Sequence, residues 1–161
     1  VADRLKRMLP GEMGRVFFGL SGSDANDTQV KLVWYYNNLL GRPDKKKIIA
    51  RQRAYHGVTV AAGSLTGLPV LHNAFDLPID RFLHTITPHH YWNAAPGMSE
   101  EEFSRHCAAE RESLNERAGG DTVAALIAEP MLGAGVCLGP PDGSRHLIRQ
   151  VLNKPARLSL T

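Results

Sequence analysis

The run Phe17-Phe18-Gly19-Leu20-Ser21-Gly22-Ser23-Asp24-Ala25-Asn26-Asp27-Thr28 constrains this chain more than any other stretch. A short apolar run breaks into small residues and then into helix-forming sequence, so the pattern predicts a strand over Val16 to Gly19, a turn, and the start of a helix. Ser23, Asp24 and Asn26 each carry an oxygen able to accept from the free amides of a first helical turn, which makes each a candidate cap. The turn has two readings. The unpaired amides and positive dipole end of the helix attract a phosphate, with Gly22 letting the backbone come close and Ser23 adding a hydroxyl. Alternatively, the turn only caps a helix and meets no ligand. The residues of the turn leave both readings open.

The chain of 161 residues has the length of one ordinary domain, with 43% hydrophobic residues to build a core. It carries no signal-peptide pattern and no apolar run of the roughly 18 to 20 residues that a membrane span needs, so a cytoplasmic protein without a membrane partner is expected. Cys107 and Cys137 fit no metal or disulfide spacing. His72, His84, His89 and His90 lack ligand spacing, and no metal is expected. The densest basic cluster, Lys45-Lys46-Lys47 with Arg42, Arg51 and Arg53, has no interleaved aromatics and reads as a solvated turn rather than a nucleic-acid surface. Neither G-x-G-x-x-G nor a P-loop occurs, which argues against a general nucleotide-binding domain.

Taken in order, residues 2 to 9 place Leu5, Met8 and Leu9 on one helical face, stopped by Pro10-Gly11. After the central turn, Val30, Val33, Trp34 and Leu40 recur at helical spacing until Gly41-Arg42-Pro43, and that helix is expected to pack on a sheet. Lys47 to Arg51 reads as a buried parallel strand, and Ala61 to Ser64 as a close-packed helix. Residues 67 to 97 read mostly as loop, with a short strand near His84 to Thr87. Ser99 with Glu102 forms a capping-box pattern that opens a charged surface helix to about Arg117. Thr122 to Glu129 reads as a central parallel strand with an acid at its carboxyl end, and His146 to Asn153 as a further helix. From its residues alone, Tyr55 is a half-buried tyrosine with its hydroxyl bonded, and Glu129 an acid that accepts backbone or arginine bonds.

Three blocks in order carry a resemblance. Ser21-Gly22-Ser23-Asp24-Ala25-Asn26-Asp27-Thr28 is followed by Arg53-Ala54-Tyr55-His56-Gly57 with Ser64-Leu65-Thr66-Gly67, and then by Ile127-Ala128-Glu129-Pro130 with Gly133-Ala134-Gly135. Together they resemble the class III (omega) aminotransferases of pyridoxal phosphate fold type I, with Asp24 where the family has Glu. The resemblance implies an α/β fold, part of a large domain with a mainly parallel sheet and packed helices over 1–153, and a divergent tail over 154–161. It implies pyridoxal 5'-phosphate as cofactor, with Gly22 and Ser23 at its phosphate, Tyr55 stacked on its ring and Glu129 lining the pocket. It further implies an amine or omega-amino acid donor, a 2-oxo acid acceptor such as pyruvate, and a homodimer.

The family pattern breaks near the carboxyl end. Lys154-Pro155-Ala156-Arg157-Leu158-Ser159-Leu160-Thr161 stands where the family continues toward an aspartate for the pyridine nitrogen and, later, the lysine that binds the cofactor. Lys6, Lys31, Lys45, Lys46, Lys47 and Lys154 match that lysine at no position, so no catalytic residue is assigned. The chain opens on Val1 and is expected to be an internal or truncated part of the family fold, inactive by itself. The alternative is a non-catalytic fragment that interacts with full-length subunits.

Overall fold

A computed structural model describes residues 1–9, 14–134 and 158–160. Its frame is a four-stranded parallel sheet in the order β2-β1-β3-β4, built from β1 (Lys47–Arg51), β2 (Phe82–Thr85), β3 (Val123–Ile127) and β4 (Leu158–Leu160). Strand β1 lies between β2, with Ile48 opposite Phe82, and β3, with Ile48 opposite Ala125. All five residues of β3 are buried, the pattern of a parallel strand covered on both faces.

Helices cover the two faces. On one side, α2 (Gly22–Leu39) inserts Val30 and Val33, and α3 (Val60–Leu65) inserts Leu65, against Ile48, Ala50, Phe82, Ala125 and Ile127. The other cluster joins Ile49, Val123 and Leu126 to Leu114 and Ala118 at the end of α5 (Glu100–Arg117). The capping box of α5 forms in both directions: Glu102 N donates to Ser99 Oγ, and Glu102 Oε2 accepts from Ser99 N at 2.9 Å. This helix is more than a solvated surface element, since Phe103, Ser104, Arg111 and Asn115 are buried along it.

Several expectations are revised. Val16 to Gly19 forms no strand: no strand among the described residues pairs with it, and Phe17 and Phe18 are largely exposed. An extended segment without a neighbour to take its amides and carbonyls is not a strand, however apolar its residues. A helix does form at α1 (Ala2–Met8), but it buries no residue. Leu40 caps α2 at its carboxyl end and lies outside the buried stripe. The segment 67–97 contains β2 at Phe82–Thr85, two residues earlier than the expected His84 to Thr87, and a short helix α4 (His90–Asn93). It is tied to α3 by His72 Nε2 at 3.0 Å from Gly63 O and His84 Nε2 at 3.2 Å from Leu65 O. The expected helix His146 to Asn153 lies outside the described residues, as do residues 154–157 of the tail. Leu158–Leu160 of the same tail runs parallel to β3, and Ala128 N donates to Leu160 O.

The basic cluster is the plainest correction. Lys45 is buried rather than solvated. Lys46 Nζ donates to Trp34 O at 3.0 Å and to Asn38 Oδ1 beside the last turns of α2, while Trp34 Nε1 donates back to Lys46 O. Lys47 Nζ donates to Ala118 O at 2.6 Å, the cap residue of α5. Cations are favourable near the negative dipole end of a helix, so consecutive lysines at the start of β1 anchor the carboxyl-terminal parts of both long helices.

Leu32, Tyr35, Tyr36 and Leu39 of α2 face Leu158 and Leu160 across an apolar groove of about 410 Å³. Among the described residues no helix is long and apolar enough to cross a membrane.

Lys47→Met keeps the apolar stem and removes the ammonium at the end of α5. It is expected to lower the unfolding free energy by about 1 kcal/mol, read from the urea midpoint. Lys31→Met, on the exposed side of α2, is expected to leave the midpoint in place.

Candidate functional site

In an open parallel sheet, the carboxyl ends of the strands and the amino ends of the following helices meet along one edge, where ligands are commonly held. Here that edge brings together the start of α2, the segment after β1 and the segment after β3. Ser21 caps α2: its Oγ accepts from Asp24 N at 3.1 Å, and its carbonyl accepts from Ala25 N. The cap is therefore Ser21 and none of Ser23, Asp24 or Asn26. Asp24 instead turns its carboxylate back, where Oδ2 accepts from Leu20 N at 3.0 Å. The geometry explains the difference, because a cap must precede the helix and Ser23 already stands at its second position.

Gly22 and Ser23 occupy the first two helical positions, and their amides have no hydrogen-bond partner among the described residues. A Cβ at Gly22 would meet nothing within 4 Å, so the side-chain position there is open. Ser23 Oγ accepts from Val58 N at 3.1 Å, which leaves its own proton available to a further acceptor. Those features match an anion cradle at a helix amino end.

The segment carrying Tyr55 is fastened directly to this helix. Asn26 Nδ2 donates to His56 O at 2.7 Å. Asp27 Oδ1 accepts from Thr59 Oγ1 at 2.7 Å and from Ala62 N at 3.0 Å, so it serves the first turn of α3 from a neighbouring helix. Thr66 Oγ1 accepts from His56 N at 2.9 Å. Gly57 has a positive φ of 133°, and a Cβ there would overlap Ser23 Oγ and lie 2.9 Å from Ala62 Cβ. Only glycine fits between the cradle and α3.

Tyr55 is 46% exposed, and its hydroxyl has no hydrogen-bond partner among the described residues. What is anchored is its backbone, since Tyr55 N donates to Glu129 Oε1 at 3.2 Å. Glu129 lies two residues beyond the end of β3. Its Oε2 accepts from Arg51 Nη2 at 2.9 Å, and the same nitrogen also donates to the Glu129 carbonyl. His56 Nε2 lies 3.8 Å from Oε2 without a hydrogen bond. Burial pushes His56 below its ordinary value of 6.5, with Glu129 pulling it back and Arg51 adding to the fall. Burial likewise lowers His84. Cys107 stands apart from this edge, half-buried in α5, and burial raises its thiol to about 11.

Gly22, Ser23, Tyr55 and Glu129 are thus brought to one edge. Asn26, Asp27, Arg51 and Thr66 also build it. Asn26 and Asp27 were visible in the motif as residues one helical turn past Ser23, on the same face. Arg51, as the last residue of a buried apolar strand, offered the signal of a charge needing a partner. Among the described residues no group of three or more His, Cys, Asp or Glu is placed to hold a metal ion.

Comparison with known proteins agrees with the geometry. The family model described as Aminotransferase class-III matches residues 1–154. A diaminobutyrate–2-oxoglutarate transaminase of Halomonas elongata is 55% identical over 156 residues, 96% of this chain and 33% of that protein. The mitochondrial gamma-aminobutyrate transaminase 1 of Oryza sativa is 53% identical over 143 residues, 89% of this chain and 28% of that protein. The omega transaminase from Pseudomonas jessenii, solved in complex with PMP, superimposes with a TM-score of 0.96 at 49% identity, over 98% of this chain and 35% of that one. The chain spans about a third of the length of the curated relatives it matches.

Two measurements test the packing of this edge. Gly57→Ala is expected to lower stability by about 2 kcal/mol in urea unfolding, because the backbone is unfavourable for a side chain and the space is filled. Gly14→Ala, where a Cβ meets nothing within 4 Å, is the control and should not move the midpoint. The second is pH dependence. Since burial lowers His56 and His84, the unfolded chain binds more protons than the folded one below the ordinary value of 6.5. Their contribution to stability is complete above that value and is lost as pH falls through the lowered folded values. The urea midpoint should therefore drop as pH falls below 6.5, and less steeply in His56→Asn.

Proposed function

The chain belongs to the class III aminotransferases, pyridoxal phosphate-dependent transferases of fold type I, and from that premise we propose that these residues form the cofactor-holding part of a transaminase. The reaction would move an amino group from an amine or omega-amino acid to a 2-oxo acid such as pyruvate. The two named relatives support an omega-amino donor, because gamma-aminobutyrate and diaminobutyrate both carry an amino group remote from the carboxylate. Assembly as a homodimer in the cytoplasm is part of the same proposal.

The single observation that carries the reading is the pair of free amides at Gly22 and Ser23, stitched through Ser23 Oγ and Asn26 to the turn bearing Tyr55. Pyridoxal phosphate fits the donor set: the two amides and the Ser23 hydroxyl would give hydrogen bonds to its phosphate, and the half-exposed Tyr55 would lie on its ring. Bound, the cofactor supplies an electron sink for the carbon that loses its proton. The chain's own residues bind and orient. The α2 dipole and free amides favour the dianionic end. Glu129, with both oxygens engaged by Arg51 and Tyr55 N, fixes the backbone of the stacking residue and gives no proton to the chemistry.

Holding is not transferring. In this family the chemistry needs a lysine positioned to bind the cofactor and carry the proton, and three of the described lysines serve elsewhere: Lys46 and Lys47 bind helix ends and Lys6 pairs with Asp3. We read the 161 residues alone as binding without turnover.

The test uses the chain with pyridoxal 5'-phosphate. Equilibrium dialysis should show binding that Ser23→Asp weakens by about a hundred-fold, since a carboxylate then meets the phosphate. Borohydride reduction and peptide mapping should find no single stoichiometrically labelled lysine, and an amine with pyruvate should yield no alanine above the cofactor-only rate. One stoichiometrically labelled lysine, with turnover lost in Tyr55→Ala, would overturn the claim of inactivity.

A further inference from the structure

We propose that Arg51 is a positioning residue for the ring-facing aromatic: through Glu129 it fixes the backbone from which Tyr55 extends. This rests on the reading of Tyr55 as the residue that stacks on the cofactor ring. Arg51 closes β1 and is 5% exposed, so its charge lies where water is largely excluded. Glu129 divides its two oxygens, Oε2 taking Arg51 Nη2 at 2.9 Å and Oε1 taking Tyr55 N at 3.2 Å. The carboxylate is therefore a rigid link between the end of one strand and the amide of the aromatic.

The link is needed because the pairing between β1 and β3 does not reach this far. The β1–β3 pairing ends with Ile49 opposite Leu126, before Arg51 and before Glu129. Between Arg51 and Tyr55 the chain makes a tight excursion, with Arg53 at a positive φ of 64°, held by Arg53 N to Gly67 O and Gly67 N to Ala54 O. Those bonds stop at Ala54. The first backbone group past them is Tyr55 N, and its hydrogen bond goes to Glu129. His56 lies 3.8 Å from Glu129 Oε2 and is held neutral near pH 7 by burial, so Arg51 supplies the opposing charge.

An arginine suits the task better than a lysine. The planar guanidinium fixes the direction of Nη2, which donates to both the carboxylate and the carbonyl of Glu129, where an ammonium would rotate freely about its stem. A charge alone would hold the acid near without fixing which oxygen faces Tyr55.

The experiment uses the whole chain, with pyridoxal 5'-phosphate and inorganic phosphate as separate probes. In Arg51→Gln, affinity for pyridoxal 5'-phosphate is expected to fall about ten-fold while affinity for inorganic phosphate changes by less than about two-fold, because the cradle at Gly22 and Ser23 is untouched. Exchange of the Tyr55 amide, followed by NMR, should accelerate by about ten-fold or more as its acceptor is released. Arg51→Lys keeps the charge and carries the same readouts if Arg51→Gln does not fold; it too should accelerate Tyr55 amide exchange. Equal loss of both ligands, or Tyr55 exchange unchanged in the folded variant, overturns the proposal. Failure of the unaltered chain to bind pyridoxal 5'-phosphate overturns the cofactor reading instead, and the amide exchange then decides separately whether Arg51 holds Tyr55.

Discussion

Side chains at positions 23, 26 and 27, on the first two turns of α2, hold the segment from His56 to Ala62 through three of its backbone groups and the Thr59 hydroxyl. Positions three and four apart share a helix face, so one face of one helix reaches one stretch of chain. The consequence is mechanical. The turn that offers free amides and the turn that offers Tyr55 cannot shift independently, because Ser23 belongs to the first and bonds the second. Gly57 completes the contact, since any larger residue would force the two apart.

Electrostatics place the same helix from its other end. Lys46 reaches the last turns of α2 and Lys47 the end of α5, and both lysines lead into β1, the strand at the middle of the sheet. One side chain goes to the helix on each face. The central strand thus determines where both long helices stop, and through α2 where its free amides lie. A helix whose carboxyl end is fixed by a cation and whose amino end is stitched to the next segment has little freedom to slide along the sheet.

Much of this was legible from local pattern. Lys47–Arg51 forms the strand its apolar, charge-bounded run predicts, and the Ser99–Glu102 box forms as written. In each case the deciding forces act within a few residues. The failures have a common cause, which is that the partner lay far away in sequence. Val16 to Gly19 has the composition of a strand, but a strand needs a neighbour, and none among the described residues supplies one. The lysine run reads as solvated because nothing near it in sequence shows the carbonyl 71 residues away that Lys47 meets. The motif holds several residues able to cap, and only the helix start singles out Ser21. Cofactor-site roles came from the resemblance, while the links between those residues, Asn26, Asp27 and Arg51, needed coordinates.

Glu129 shows why the bland and the functional reading of a residue need not compete. The residue type predicts an acid that accepts from an arginine and a backbone amide, and both bonds form. The amide is that of Tyr55, so the ordinary bonds are the means by which the edge is organised. The pairing also has an electrostatic effect. A lone guanidinium buried beside the edge would compete for an anion at the start of α2. Joined to Glu129 at 2.9 Å, Arg51 is held away from that competition. The amides of Gly22 and Ser23 are then the donors on which a phosphate would seat, with the aromatic face left to the ring.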